Sequence, residues 1–382
     1  MEQLALHDFR NYHDEEAEFD EGVNFVIGRN AQGKTNLLEA IHCLGGLGSP
    51  RAQDAALIRD GAERAVLHGR MKRASRRVQV DIEWRPGRGA RCLLNGSPLQ
   101  GTRGLSEVMV CVFFGPDDLL VIKGSPEGRR RLLDDLGVKL KPTRHTTGRE
   151  WERVLRQRNA LLKSLRATHS GSKERGTALT TLEVWDETFC RSGATLTAAR
   201  LEALSLLLPY AAKRYEAIAG GGCLTMSYSS DWLSGNGVQG QRPESELRAE
   251  LTAAVSSVRQ REIERGMSLV GPQRDDLIVK LTTKAGEGGL DARVYASQGD
   301  QRTSALALKL GEHDLLTEVL GVTPVLLLDD VFSELDASRR KWLDETVRDM
   351  GQTILSSAEP GGAGDLDPDC VLHISGGRIQ RA

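Results

Sequence analysis

The segment VNFVIGRNAQGKTNLLEAIHCL, residues 23–44, constrains the fold more than any other part of the chain. It sets the spacing G-x-x-x-x-G-K-T between an apolar strand pattern and an apolar helical one. Gly28 and Gly33 let backbone N–H groups close around phosphate oxygens, and the N-terminus of the helix that follows adds partial positive charge. The candidate nucleotide-binding set is therefore Gly28, Arg29, Asn30, Ala31, Gln32, Gly33, Lys34 and Thr35, with Asn36 beyond them. Within it, Lys34 is expected to reach the β- and γ-phosphates of ATP and the Thr35 hydroxyl to hold Mg²⁺. A glycine-rich turn alone carries little weight; strand, motif and helix in that order carry nucleotide binding.

A second segment, VTPVLLLDDVFSELD (residues 322–336), is an apolar run ending in two acids, as expected of a buried parallel strand delivering carboxylates to its C-terminal edge. Asp329 would orient the Mg²⁺ through water and Asp330 would polarise the attacking water. Taken alone, both acids could equally begin a loop or cap a helix. With the phosphate loop elsewhere in the chain, they define a P-loop NTPase. A third segment, YASQGDQRT (295–303), precedes the amphipathic stretch RTSALALKLGEHDLLTEVL, so Ser297, Gln298 and Gly299 sit at a second helix N-terminus with donors exposed. By itself that is a helix cap. Upstream of LLLDD and SELD, it reads as the signature of the ATP-binding-cassette class, which closes on the γ-phosphate bound by the opposite subunit.

The rest of the chain frames these motifs. Its 382 residues suffice for two to three domains, no stretch approaches the run of about 18 apolar residues that a membrane span needs, and MEQLALHDFR lacks a signal-peptide pattern, which together predict a cytosolic protein. Six cysteines stand singly, without metal or redox spacing, and are read as reduced thiols used mostly in packing. The net charge of −2 hides basic clusters at GRMKRASRR (69–77), GRRR (128–131) and 139–166, the last with nine Lys or Arg against Glu150 and Glu152. Short apolar runs predict strands over the first hundred residues. Helical spacing follows from 126 to 218, broken by a polar loop at 167–177, with a further helix at 244–265 before strand and helix alternate again. This pattern predicts an α/β unit made from both chain ends, with a helical lobe inserted between them.

FRNY (9–12), GRNAQGKTNLLEAI (28–41), LGSPRAQDAALIRDG (47–61), KGSPEGRRRLLD (123–134), GPQRDDL (271–277), SQGDQR (297–302) and LLLDDVFSELD (326–336) together resemble the RecF family, bacterial recombination-mediator ATPases similar to SMC heads without the long coiled coils. The resemblance implies an ABC-type, SMC-head-like ATPase domain. Residues 1–115 would carry its phosphate loop, 266–382 its signature, Walker B acids and D-loop, and 116–265 a helical lobe with a short arm. It also implies head-to-tail homodimerisation on ATP, weak DNA-stimulated hydrolysis acting as a switch, and binding to double-stranded DNA and duplex/single-strand junctions, mainly through phosphates. RecR, with RecO and RecA in the pathway, would be its partners. Arg10 and Asn11 of FRNY would lie near the nucleotide, unless they only turn the end of a strand.

Three departures bear on the chemistry. Asp330 stands where SMC-type and transporter ATPases commonly have Glu, which suits a slow switch. TILSSAE (353–359) offers Ser356 and Ser357 where many cassette ATPases place a γ-phosphate-sensing histidine, and FFGPDDLL has no Q-loop glutamine. Gln273 and Arg274 have no assigned role. Arg70, Lys72, Arg73, Arg76 and Arg77 are the first candidate DNA surface and the 139–166 run the second. The competing readings are a transporter's ATPase subunit, a small-molecule kinase, and a scaffold that holds ATP with little turnover.

Overall fold

The computed structural model describes residues 1–73, 76–102, 104–169, 173–235, 237–282, 289–358 and 366–382, the side chains of residues 333 and 334 excepted. Contacts divide the chain into two compact units, one of Met1–Leu119, Tyr210–Gly222 and Ser297–Ala382, the other of Leu120–Pro209 and Cys223–Ala296.

The first unit opens with β1 (Gln3–Phe9), β2 (Tyr12–Glu18), β3 (Val23–Ile27) and α1 (Lys34–Leu44). It continues with β4 (Ala65–Arg73), β5 (Arg76–Trp84), β6 (Arg91–Leu94), β7 (Ser97–Pro98), α2 (Leu105–Val108) and β8 (Cys111–Phe114). Strands 1 and 4 alternate, putting Leu4, Leu6 and Leu67 inward and His7, His68 and Arg70 outward, in an antiparallel sheet of order β2-β1-β4-β5-β6-β7. β3 does not alternate: VNFVI is buried at four consecutive positions because it lies inside a second sheet. That sheet draws its other strands, β8 excepted, from the far end of the chain.

The second unit holds α3 (Leu119–Lys123), α4 (Pro126–Leu140), α5 (Thr147–Ala167) and most of α6 (Lys173–Ala219). It also contains β9 (Cys223–Ser229), α7 (Glu244–Arg265), β10 (Asp276–Thr282), β11 (Leu290–Asp291) and α8 (Ala292–Tyr295). Its antiparallel sheet has the order β11-β10-β9. The first unit then resumes with α9 (Gln298–Leu320), β12 (Val325–Asp329), α10 (Ala337–Val347), β13 (Thr353–Ser357), β14 (Cys370–Ser375) and β15 (Arg378–Arg381). The second sheet of that unit therefore has the order β15-β14-β3-β13-β12-β8, parallel except for β15. Leu4, Leu6 and Phe9 of the first sheet, Leu37, Leu38 and Ile41 of α1, and Val26, Leu327 and Ile354 of the second share one core. The sequence expectation of an α/β unit assembled from both chain ends, with a helical insertion, is what the chain forms.

One helix boundary differs from the sequence reading. The polar stretch expected as a loop to residue 177 is already helical from Lys173, and the Thr177 and Thr181 hydroxyls donate back along α6 to the carbonyls of Lys173 and Thr177. Arg175 explains the early start: its NH1 donates to Leu165 O and Thr168 O, satisfying carbonyls at the end of α5. The basic run 139–166 is also not a uniform surface. Lys139 is buried, and Arg158 falls on the stripe Trp151, Val154, Arg158, Leu162, Leu165 that α5 turns inward. Arg158 donates to Asp186 (2.8 Å), Ser268 (2.7 Å) and Glu262 (2.6 Å), and lies over the Phe189 ring.

GRRR and GPQRDDL meet in the same unit as a polar core. Arg129 is bidentate on Asp276, Arg130 donates to Asp275 O, and Arg200 is bidentate on Asp134 and reaches Pro272 O. The Tyr228 hydroxyl and Trp232 Nε1 donate to the two oxygens of Asp275. Burial pushes the Asp275 carboxyl up to about 6, against the pull of donors at Ser230, Tyr228 and Trp232 and of the Arg200 charge. Unfolded, the group titrates near 3.8, so from about pH 4 to about pH 6 the folded state holds the extra proton, and stability falls as pH rises through that window by about 3 kcal/mol. Urea unfolding of the wild type and Asp275→Asn across the window should show the wild type losing ground to the variant. Parallel stability curves would contradict this.

Among the described residues, no helix is long and apolar enough to cross a membrane.

Candidate nucleotide site

Register brings the chemistry to one sheet edge. Ser356 lies beside both Val26 and Asp329, and Ser357 beside Ile27, so β3, β13 and β12 end level. The loop leaving β3 starts against its neighbour, with Gly28 N donating to Ser357 O at 3.3 Å. A Cβ at Gly28 would stand 2.4 Å from Ile374 O, and one at Gly33 (φ 124°) 2.8 Å from both Asn11 Nδ2 and the Tyr12 hydroxyl. Neither position admits a side chain, which leaves backbone N–H groups as the lining.

Clamps from three directions hold this loop. Buried Tyr12 donates to Gly33 O at 2.9 Å, Asn11 Nδ2 to Gln32 O at 2.8 Å, and Asn36 Nδ2 to Asn11 Oδ1 at 2.8 Å. From the turn between β14 and β15, Gly376 N donates to Gln32 Oε1 and Gly377 N to Gln32 O. Arg29, Asn30 and Ala31 remain exposed at the loop's crest, Ala31 with φ 62°.

Lys34 is buried, and its ammonium donates to Gly28 O (2.6 Å) and Arg29 O (3.1 Å). Burial lowers its pKa, while the charges of Asp330 and Asp329 act to raise it. Asp329 is almost fully buried, and Asp330 takes a left-handed conformation (φ 51°, ψ 31°). A glycine-lined cradle, an ammonium and oxygen donors from Thr35 and Asp329 fit a phosphate chain with a hard divalent cation such as Mg²⁺. No group of three or more His, Cys, Asp or Glu among the described residues could hold a metal, so a cation here would take its remaining ligands from phosphate and water.

Other sequence candidates lie elsewhere or are already engaged. Arg10 is braced on Glu39 through two bonds (2.8 and 2.7 Å) and on Ala56 O. Glu39, fully buried on α1, also accepts from Ser49. Sequence reasoning missed Glu39, although an acid on the apolar face of NLLEAI needs a partner. Ser297 caps α9: its Oγ accepts from Asp300 N (3.2 Å) and donates to Asp300 Oδ2 (2.7 Å). A Cβ at Gly299 would sit 2.9 Å from Arg339 NH1, and Gln298 begins the helix. In FFGPDDLL, Asp118 accepts from Gly115 N and pairs with Lys309. Gln273 donates to Val270 O, and Arg274 is exposed. Of the SELD segment, Asp336 caps α10 by accepting from Arg339 N. Glu359 of TILSSAE lies outside the described residues, as do residues 74 and 75 of the first basic cluster. Within that cluster Lys72 pairs with Glu21 and Arg77 with Glu2, so two of its cations already have acidic partners from outside the β4–β5 hairpin.

The RecF/RecN/SMC N-terminal domain family matches residues 1–361. The DNA replication and repair protein RecF of Streptomyces avermitilis is 43% identical over 382 residues, covering 99% of this chain and 98% of that protein. The chain belongs to the RecF family. RecF of Acidothermus cellulolyticus is 41% identical, covering 94% of this chain and 93% of that protein. The solved structure of the recombination mediator RecF with ATP, in the RecFOR pathway, superposes with a TM-score of 0.87 at 29% identity, covering 100% of this chain and 97% of that one. An Smc head bound to the C-terminal winged-helix domain of ScpA shares the fold (TM-score 0.56, 16% identity, 100% and 96% covered). Membership in the RecF family sets the transporter-subunit reading aside.

Proposed function

We propose that this RecF-family protein is an ATP-dependent DNA-binding recombination mediator of replication and repair. The observation that carries this reading is the convergence of a clamped phosphate loop, Lys34 and Asp329 on one sheet edge, in a chain alignable nearly end to end with RecF relatives. Lys34 would exchange the carbonyls of Gly28 and Arg29 for the β- and γ-phosphates of ATP, with backbone N–H groups of the loop on the remaining oxygens. Thr35 and Asp329 would hold Mg²⁺, which when bound supplies charge neutralisation to the phosphates. Asp330 would orient the attacking water. Its carboxylate is one carbon shorter than a glutamate's, which favours slow turnover and therefore a switch.

Ser297, Gln298 and Gly299 would close on the γ-phosphate held by a second copy, making ATP part of a head-to-tail dimer interface. To donate there, Ser297 must give up Asp300 Oδ2, an exchange suited to a contact that forms only with nucleotide. DNA, double-stranded or at duplex/single-strand junctions, would be met mainly through its phosphates by Arg70, Lys72, Arg73, Arg76 and Arg77, with RecR as the direct partner and RecO and RecA in the same cytoplasmic pathway.

Size analysis with and without ATP and Mg²⁺ tests the dimer. The wild type should double in mass with nucleotide, whereas Ser297→Arg should bind ATP and stay monomeric, because a guanidinium cannot occupy the cap position without displacing the partner's phosphate. A Ser297→Arg protein that dimerises fully would defeat the trans arrangement.

A further inference from the structure

Ser356 stands where a γ-phosphate sensor was the open question, and its bonds give it a different task. Its hydroxyl donates to Asp329 Oδ1 at 2.6 Å and accepts from Asp330 N at 3.1 Å, while the same N–H reaches Ser356 O at 3.2 Å. Ser356 is fully buried and Asp329 nearly so. A hydroxyl carries a single hydrogen. Because that hydrogen is committed to a buried carboxylate, Ser356 has none to give a phosphate oxygen. Its acceptor side, together with its carbonyl, holds the N–H of Asp330, the residue in the left-handed conformation that side chains with a Cβ rarely adopt.

We propose that Ser356 is the positioning residue of the acidic pair: it fixes the Asp329 carboxylate for a divalent cation and sets the turn that aims Asp330. This inference rests on the metal-holding role of Asp329 given above. The terminal torsion of an aspartate is broad and roughly two-fold, so an unrestrained carboxylate spreads over many orientations. Engaging Oδ1 narrows that spread and leaves Oδ2 for the cation or a water on it, as outer hydrogen bonds do for metal ligands in general. The N–H lining of the phosphate loop does not depend on the Ser356 hydroxyl, so nucleotide affinity without metal should not change with it.

The test titrates Mn²⁺, read by electron paramagnetic resonance, into full-length protein saturated with a non-hydrolysable ATP analogue. Ser356→Ala should bind Mn²⁺ about 10- to 100-fold more weakly, with metal-free analogue affinity unchanged and unfolding still cooperative at a modestly lower temperature because Asp329 loses a buried donor, and Ser356→Thr should return Mn²⁺ affinity close to wild type. Mn²⁺ affinity that stays at the wild-type level in Ser356→Ala but is lost in Asp329→Asn would overturn the positioning role and keep the metal reading. Unchanged affinity in both variants would remove the metal reading itself. A Ser356→Ala protein that also loses metal-free nucleotide, or a folded Ser356→Thr that restores nothing, would equally count against the proposal.

Discussion

Replacing Lys34 with arginine is expected to leave ATP bound while lowering turnover about 100- to 1,000-fold, the usual effect of losing one aligned donor to a developing anion. The Lys34 ammonium is a compact point donor held between two loop carbonyls, beside a glycine whose Cβ space is already filled by Ile374 O. A planar guanidinium keeps the charge but cannot place it at the same point, so binding survives better than catalysis. Single-turnover phosphate release at saturating ATP, with nucleotide affinity measured in parallel, separates the two. Equal turnover in variant and wild type would mean that Lys34 is not the phosphate ligand.

The second large effect concerns stability. Arg158→Leu should destabilise the helical unit by about 3–5 kcal/mol, because it strands the fully buried Glu262 without its cation and leaves Asp186 with Arg259, at 3.2 Å, as its remaining one. Leu269 N would still donate to Glu262 Oε1, but one hydrogen bond does not neutralise a buried carboxylate. The paired change Arg158→Leu with Glu262→Leu should recover much of the loss, since two apolar groups replace two charges. Urea unfolding of the three proteins decides it, and a double variant no more stable than the single would show that packing around Phe189, not charge, carries the effect.

Arg158 also shows where sequence reading stops. A run of nine cations against two acids reads as a surface, yet Arg158 occupies the same inward stripe as Trp151, Val154, Leu162 and Leu165, and its partners come from α6, α7 and the turn after α7, distant in sequence. Helical spacing marks the stripe; no local pattern announces three long-range acceptors. The phosphate loop, the acid-bearing strand and the helix starting after Ser297 were legible because each is written locally as glycine spacing, an apolar run and a capping residue. Helix α7 was legible for the same reason, from Glu244 to Arg265. The α6 start was not, because Arg175 satisfies the end of a different helix. Ser356 likewise looked like a candidate sensor until strand register placed it against Asp329, and register is a property of two strands.

The nucleotide loop follows a strand near the start of the chain, but both neighbours of β3 and the glycine turn that grips Gln32 are encoded after residue 350. A ribosome delivering this protein therefore exposes the first strand of the parallel sheet long before its flanks exist, and the cradle stays open until β13, β14 and the turn after β14 have emerged. Nucleotide competence therefore waits on β14 and the turn after it: a copy cut before residue 370 lacks one neighbour of β3 and the grip on Gln32.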